Sequence, residues 1–162
     1  MPVQFIDNSI KVKAALNDAT IAWLYEAAGE IESAAKRNSR VDTSDLKTSW
    51  KHKVDESKGQ ATIGSPLQNA IWEEYGTGEF AMNKDGRKGY WVFVKGGKIH
   101  SSNPKTYTLE KAKQVVAIMR SKGLDAYYTK GKKPNRTLFN AFAKNETKLK
   151  RRLESILKEG MQ

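Results

Sequence analysis

The stretch Gly76-Thr77-Gly78-Glu79-Phe80-Ala81 reads as G-x-G-x-x-A, a permitted form of the dinucleotide-binding fingerprint. That fingerprint works where a strand feeds a tight glycine turn and the first amides of the next helix meet a pyrophosphate. Neither flank fits here. The segment "SPLQNAIWEEY" (65–75) ahead of it is helix-like, and "MNKDGRKGY" (82–90) behind it is polar, with no apolar stripe. No Walker-type lysine follows. The glycines therefore predict architecture, and no cofactor is expected. Gly76 follows the last helical residue, where a left-handed cap favours glycine. Gly78 lets the chain turn again within two residues. The expected task of Tyr75, Gly76, Thr77 and Gly78 is to end a helix sharply and fix the exit of a loop, with Tyr75 and Phe80 anchoring either side.

Other chemistry is thinly supplied. The chain has no cysteine, which removes disulfides, thiolate nucleophiles and cysteine-ligated zinc together. His52 and His100 stand far apart, with no second histidine at helical spacing and no carboxylates grouped around either. No metal site is expected. Asp42, Asp45, Glu73 and Glu74 could be recruited with His52, but Glu73 and Glu74 are adjacent and point about 100° apart on a helix. No catalytic residue is assigned, and an enzyme is not expected.

The elements that must position these residues follow from periodicity. Residues 9–37 read as a long amphipathic helix. Asp7, Asn8 and Ser9 offer N-caps, and Val12, Leu16, Ala19, Trp23, Ala27, Ile31 and Ala34 form a stripe that Ile21, Leu24, Ala28 and Ala35 widen. Lys36 and Arg37 suit the negative end of its dipole. Thr43 or Ser44 caps a short turn of helix carrying Leu46 and Trp50. "SWKHKVD" (49–55) and "QATIG" (60–64) form a hairpin around "ESKG", with Trp50, His52 and Val54 alternating against Lys51, Lys53 and Asp55. In the helix that follows, Ser65 is read as the cap and Pro66 as the first helical residue. Leu67, Ala70, Ile71 and Tyr75 are read as its packed side. The 82–90 loop is expected to be mobile.

"YWVFVK" (90–95) predicts a strand, and "GGK" turns into "IHSS". A helix is expected over 108–123, capped by Thr108, stopped by Gly123, and packed through Ala112, Val115, Val116 and Met119. A strand at 124–130 completes a strand–helix–strand subunit, with Trp91 and Phe93 facing Ala126 and Tyr128. After the basic linker "GKKPN", residues 136–160 form a last helix started by Asn135 or Thr137. Leu138, Phe142, Leu149, Leu153 and Ile156 are its expected buried stripe. The fold class is α+β: long N- and C-terminal helices packed on a small, mainly antiparallel sheet, with the 90–130 elaboration. One domain is expected over 1–162, long enough to bury roughly 70% of its unfolded surface.

Charge is unevenly placed. Residues 1–80 carry 9 Lys/Arg and 12 Asp/Glu, whereas 81–162 carry 20 and 6. Such asymmetry suits an anionic partner or a head-to-tail contact between copies. No apolar run approaches the ~18 residues that cross a bilayer, so no membrane partner is expected. The start "MPVQFIDNSIKVKAAL" lacks the order of a secretory signal, so an intracellular synthesis site is expected.

The order of the pieces resembles the neck, or tail-completion, family of bacteriophages with long non-contractile tails. "VDTSDLKTSW" is similar to the family's V-D-T-G-x-L-x-x-S, and "AIWEEYGTG" to its Y-A-x-x-x-E-[FY]-G-T-G. "KPNRTLFNAF" resembles the K-P-x-P-F-x-x-x-A-[FL] that opens the family's last helix. The resemblance covers residues 8–80 and 131–160. Ser44 stands where glycine is usual, Ile71-Trp72 replaces Tyr-Ala, and Arg136-Thr137-Leu138 replaces the proline-aromatic pattern. It implies a non-enzymatic virion component at the head–tail junction, acting as a ring of roughly six or twelve copies with heterologous interfaces. The implied partners are connector or head-closure proteins and tail proteins, with DNA only as a passing or non-specific contact. Candidate interface residues are Glu79, Phe80, Lys84, Arg87 and Lys88 in the loop, and Lys148, Arg151 and Arg152 on the last helix. The alternative is a basic nucleic-acid-binding module built on helix 144–158 with Trp91, Tyr127 and Tyr128.

Overall fold

The structure, a computed structural model, describes residues 9–40, 44–96 and 105–160, with side chains from residue 17 onward. Asp7, Asn8, Asp42, Thr43 and His100, the segment 99–102, and the side chains of Val12 and Leu16 lie outside the described residues. The chain forms two compact units, Met1–Leu67 with Thr137–Gln162, and Gln68–Arg136. The class is α+β, with five α-helices and two small antiparallel sheets.

In the first unit, α1 (Ser9–Asn38) packs on the hairpin β1 (Lys51–Asp55) and β2 (Gln60–Gly64), and on α5 (Thr137–Glu159). Its buried face is rich in alanine: Ala27, Ala28, Ala34 and Ala35 surround Ile31. Small side chains let neighbouring backbones approach closely, and close approach supplies many dispersion contacts. Trp23 Nε1 donates to the Leu149 carbonyl at 3.2 Å, and Asn38 Nδ2 to the Thr137 carbonyl at 3.4 Å. Contacts that run forward on α1 thus run backward on α5, so the two helices are antiparallel. The short α2 (Ser44–Ser49) buries Leu46. Trp50 follows it, with its Nε1 donating to Ser39 Oγ at 2.8 Å. A buried indole needs such an acceptor. The hairpin registers His52 against Ile63, and its turn is a 3₁₀ segment, Glu56–Lys58, closed by Gly59.

Of the expected stripe on α5, Leu149 is buried and Leu138, Leu153 and Ile156 are half-buried, with Thr137 and Ala141 joining Leu149 as its fully buried face; Phe142 is the exception. Phe142 is 49% exposed. It borders an apolar groove of about 260 Å³ shared with Trp23, Leu24, Ala61 and Ile63. Thr137 and Ala141, being small, take the positions nearest the neighbouring helix, and the phenyl ring turns aside.

The second unit holds α3 (Gln68–Tyr75), β3 (Trp91–Val94), α4 (Leu109–Ser121) and β4 (Ala126–Thr129). Thr108 Oγ1 caps α4 by accepting from the Lys111 amide, and Ala112 and Val116 are its buried core. β3 and β4 pair antiparallel with Phe93 opposite Tyr127 and Val94 opposite Ala126. The expected pairing of Trp91 and Phe93 against Ala126 and Tyr128 is therefore corrected. Aromatic pairing sets the register: Phe93 stacks on Tyr127 at 5.8 Å, and Tyr90 meets Tyr128 edge-on at 5.9 Å.

Candidate functional site

The site is built where the Y-G-T-G turn meets the strap 130–136. α3 begins at Gln68, not at Pro66, because Ser65 Oγ accepts from the Leu67 amide at 3.1 Å and holds a local turn there. Its orientation also differs from expectation. Ala70 and Glu73, three residues apart and so on one face, are buried. Ile71 (59%), Trp72 (48%) and Tyr75 (55%) are exposed. The helix carries its charge inward and its large apolar groups outward.

The cause lies in the strap. Lys132 Nζ pairs with the Glu73 carboxylate, whose Oε2 is buried without a hydrogen-bond partner. The Glu73 carbonyl accepts from the amides of Asn135 at 2.7 Å and Arg136 at 3.2 Å. A buried carboxylate is costly unless paired, so the pairing fixes which face of α3 points in.

The turn then docks along the same strap. Gly76 (φ 73°) and Gly78 (φ 60°) are both left-handed. The Thr77 amide donates to the Lys132 carbonyl at 2.9 Å, and the Lys132 amide to Thr77 Oγ1 at 3.0 Å. The Glu79 amide donates to the Lys130 carbonyl at 2.9 Å. Two motifs more than fifty residues apart in sequence thus form one ladder. The approach is close: a Cβ on Gly78 would meet the Lys130 carbonyl oxygen at 2.3 Å, and one on Gly131 the Thr77 carbonyl oxygen at 2.0 Å.

This arrangement disposes of the nucleotide question on positive grounds. The amide of Gly76 donates to Trp72, that of Phe80 to Thr77 and that of Ala81 to Gly78, all through carbonyls of the chain itself. With Thr77 and Glu79 also committed, those five amides of the motif are occupied. A 3₁₀ turn, Gly78–Phe80, follows the glycines in place of the helix that a pyrophosphate needs.

The loop after the turn, expected to be mobile, is tied down. Met82 N donates to the Tyr75 carbonyl at 3.0 Å. Gly86 lies so near Gly78 that a Cβ there would meet the Gly78 oxygen at 1.9 Å. Glu79 accepts from the Gly89 amide at 3.1 Å and pairs with Lys130 at 3.2 Å. The Gly89 amide, then Lys130, hold its carboxyl below the ordinary glutamate range. A lowered folded-state pKa gives stability that is present at neutral pH and lost as pH falls through that value.

The remaining candidates are placed as follows. Phe80 is half-buried, with Lys130 Nζ 5.3 Å and Lys133 Nζ 5.7 Å from its ring centre. Arg87 lies over the Trp91 ring at 4.7 Å. Lys84 (φ 62°) and Lys88 are exposed on the loop. In the first unit, Lys148 pairs with Glu30 at 2.7 Å and Arg152 with Glu26 at 2.6 Å, while Arg151 is exposed. His52 Nδ1 meets Glu32 Oε2 at 2.6 Å, and Glu32 also pairs with Lys36. Those contacts, Lys36 first, hold the Glu32 carboxyl low. Among the described residues no group of His, Asp and Glu could hold a metal ion, and no helix is long and apolar enough to cross a membrane. Sequence reasoning named Glu73 only as a possible recruit beside His52, placed Gly131 and Lys132 only in a basic linker, and did not single out Lys130. No quoted motif says what these four residues touch.

A family model described as "Bacteriophage HK97-gp10, putative tail-component" matches residues 4–97. The match runs from α1 through β3 and includes the Y-G-T-G turn. No curated protein and no solved structure matches the chain.

Proposed function

Because the chain belongs to the HK97-gp10-like family of phage tail components, we propose that it is a structural virion protein of the head–tail junction, a neck or tail-completion subunit. It acts by forming a ring and docking between connector and tail. The family supports a structural role, and the finer assignment rests on one observation. α3 turns Ile71, Trp72 and Tyr75 outward, and the adjoining Met82 is also exposed. A clustered exposed apolar face marks an interaction surface. It is held rigid from behind by the Glu73–Lys132 pair and the strap ladder. A ring needs unlike surfaces that meet head to tail, and this face is available for one of them.

Co-sedimentation with purified phage tails or connectors tests the reading. The intact chain is expected to travel with one of them, and the Ile71→Lys/Trp72→Asp double variant to stay in the supernatant. Failure of the intact chain to sediment with either would contradict it.

A further inference from the structure

Half of the cations of α5 are spent within the chain: Lys148, Arg152 and Lys150 pair with Glu30, Glu26 and Glu146, while Lys144, Arg151 and Lys158 are exposed. Residues 68–136 carry 14 Lys/Arg against 6 Asp/Glu. Two of those six carboxylates, Glu73 and Glu79, are taken by Lys132 and Lys130. Asp85 accepts from Asn83 Nδ2 at 2.8 Å. Lys84, Arg87 and Lys133 have no carboxylate partner among the described residues. Asp85 is the remaining carboxylate of the loop, so together they leave a net cationic surface on the loop and strap.

Two of the three, Arg87 and Lys133, stand on a half-buried aromatic floor that Lys130 shares. Phe80 lies under Lys130 and Lys133, and Trp91 under Arg87. Lys130 also lies 6.0 Å from the Tyr90 ring centre. Ring faces hold ammonium and guanidinium groups by their quadrupole, so the positive charges are positioned rather than freely waving. Gly78, Gly86 and Gly131 keep the backbone beneath them in close contact.

The chemistry of the partner follows from what the surface lacks. A protein partner is anchored by a desolvated apolar centre, which α3 offers and this surface does not. Phosphates need only cations and geometry. Single strands bind by stacking bases on free rings, and here the rings are capped by cations. We propose that the 79–91 loop and the 130–133 strap together form a contact surface for the phosphate backbone of duplex DNA. The surface goes beyond the tail-component reading and does not require ring formation.

Fluorescence anisotropy of a labelled duplex with the intact chain tests it, between about 50 and 200 mM salt. The chain binds, and log affinity falls linearly with log salt. The K84Q/R87Q/K133Q variant flattens that slope by about 3, roughly 0.9 for each phosphate that is no longer neutralised, and weakens low-salt binding at least about tenfold. K84Q alone changes only an exposed side chain, and it flattens the slope by about 1 even if the triple variant melts early. A K144Q/K158Q variant on α5 stays within about twofold of the intact chain. The proposal is overturned by absence of binding at low salt or by an α5 variant that takes the loss instead. It is equally overturned if polyglutamate displaces the label as well as unlabelled duplex does, which would assign the surface to an acidic protein. A chain that docks on tails yet ignores DNA sinks this proposal alone; one that binds DNA yet ignores tails sinks the other.

Discussion

Gly78 shows how little room the turn leaves. Its left-handed backbone would cost a β-carbon about 1 kcal/mol by itself. A Cβ would also press on the Lys130 carbonyl at 2.3 Å and on Trp91 at 2.7 Å, so the strap or the indole must move. Overpacking of that kind typically adds about 1–3 kcal/mol. Gly59 has a similar φ of 58° but open space around it. Gly78→Ala is therefore expected to lower unfolding free energy by about 2–4 kcal/mol, and Gly59→Ala by about 1 kcal/mol. Urea unfolding of the two variants checks the difference. Equal losses would mean that the turn and strap do not interlock. The residue-level role of Gly76 and Gly78 was legible because the flanks of the motif are wrong for a phosphate site. Their partner was not, since Lys130 and Lys132 are ordinary linker lysines until the chain folds back on itself.

At the level of elements, α3 carries the clearest lesson. Its apolar residues at 71 and 75 are spaced as a packed stripe would be, and the pattern alone assigns them inward. The fold reverses the helix because Glu73 is claimed by Lys132 and by the strap amides. Ile71→Lys or Tyr75→Lys should then change stability by no more than about 0.5 kcal/mol, as surface substitutions do. Ala70→Lys, which forces a charge into the buried face, should cost more than about 3 kcal/mol. Thermal melts of the three variants decide it; if Ala70→Lys were the tolerated one, α3 would have to present its opposite face to the core. Elsewhere the period-two and helical patterns located the hairpin, α1, α4 and α5 well, because each carries an apolar side at its own period. Patterns failed for individual side chains and for strand register. Phe142 is displaced by smaller residues nearer the adjoining helix, and the β3–β4 register follows aromatic pairing that alternation does not specify.

For the whole molecule, the opposed charges of the two halves of the sequence are partly spent inside one chain. Lys148–Glu30, Arg152–Glu26, Lys132–Glu73 and Lys130–Glu79 each join a basic residue of the second half to an acidic one of the first. The Lys148–Glu30, Arg152–Glu26 and Lys130–Glu79 pairs are largely exposed and contribute little stability, so their effect is on alignment, whereas the buried Glu73 sets the face of α3. The proposed assembly would then rest on apolar contact more than on long-range attraction, and it is expected to resist salt. The central claim is that this chain is a building block that associates through the outer face of α3. Native mass spectrometry of the intact chain and of Trp72→Asp, at low and high ionic strength, tests it most directly. A closed oligomer that persists in high salt and falls to monomer in the variant is the predicted result. An intact chain that stays strictly monomeric at both ionic strengths, or a Trp72→Asp variant that assembles unchanged, would contradict the account.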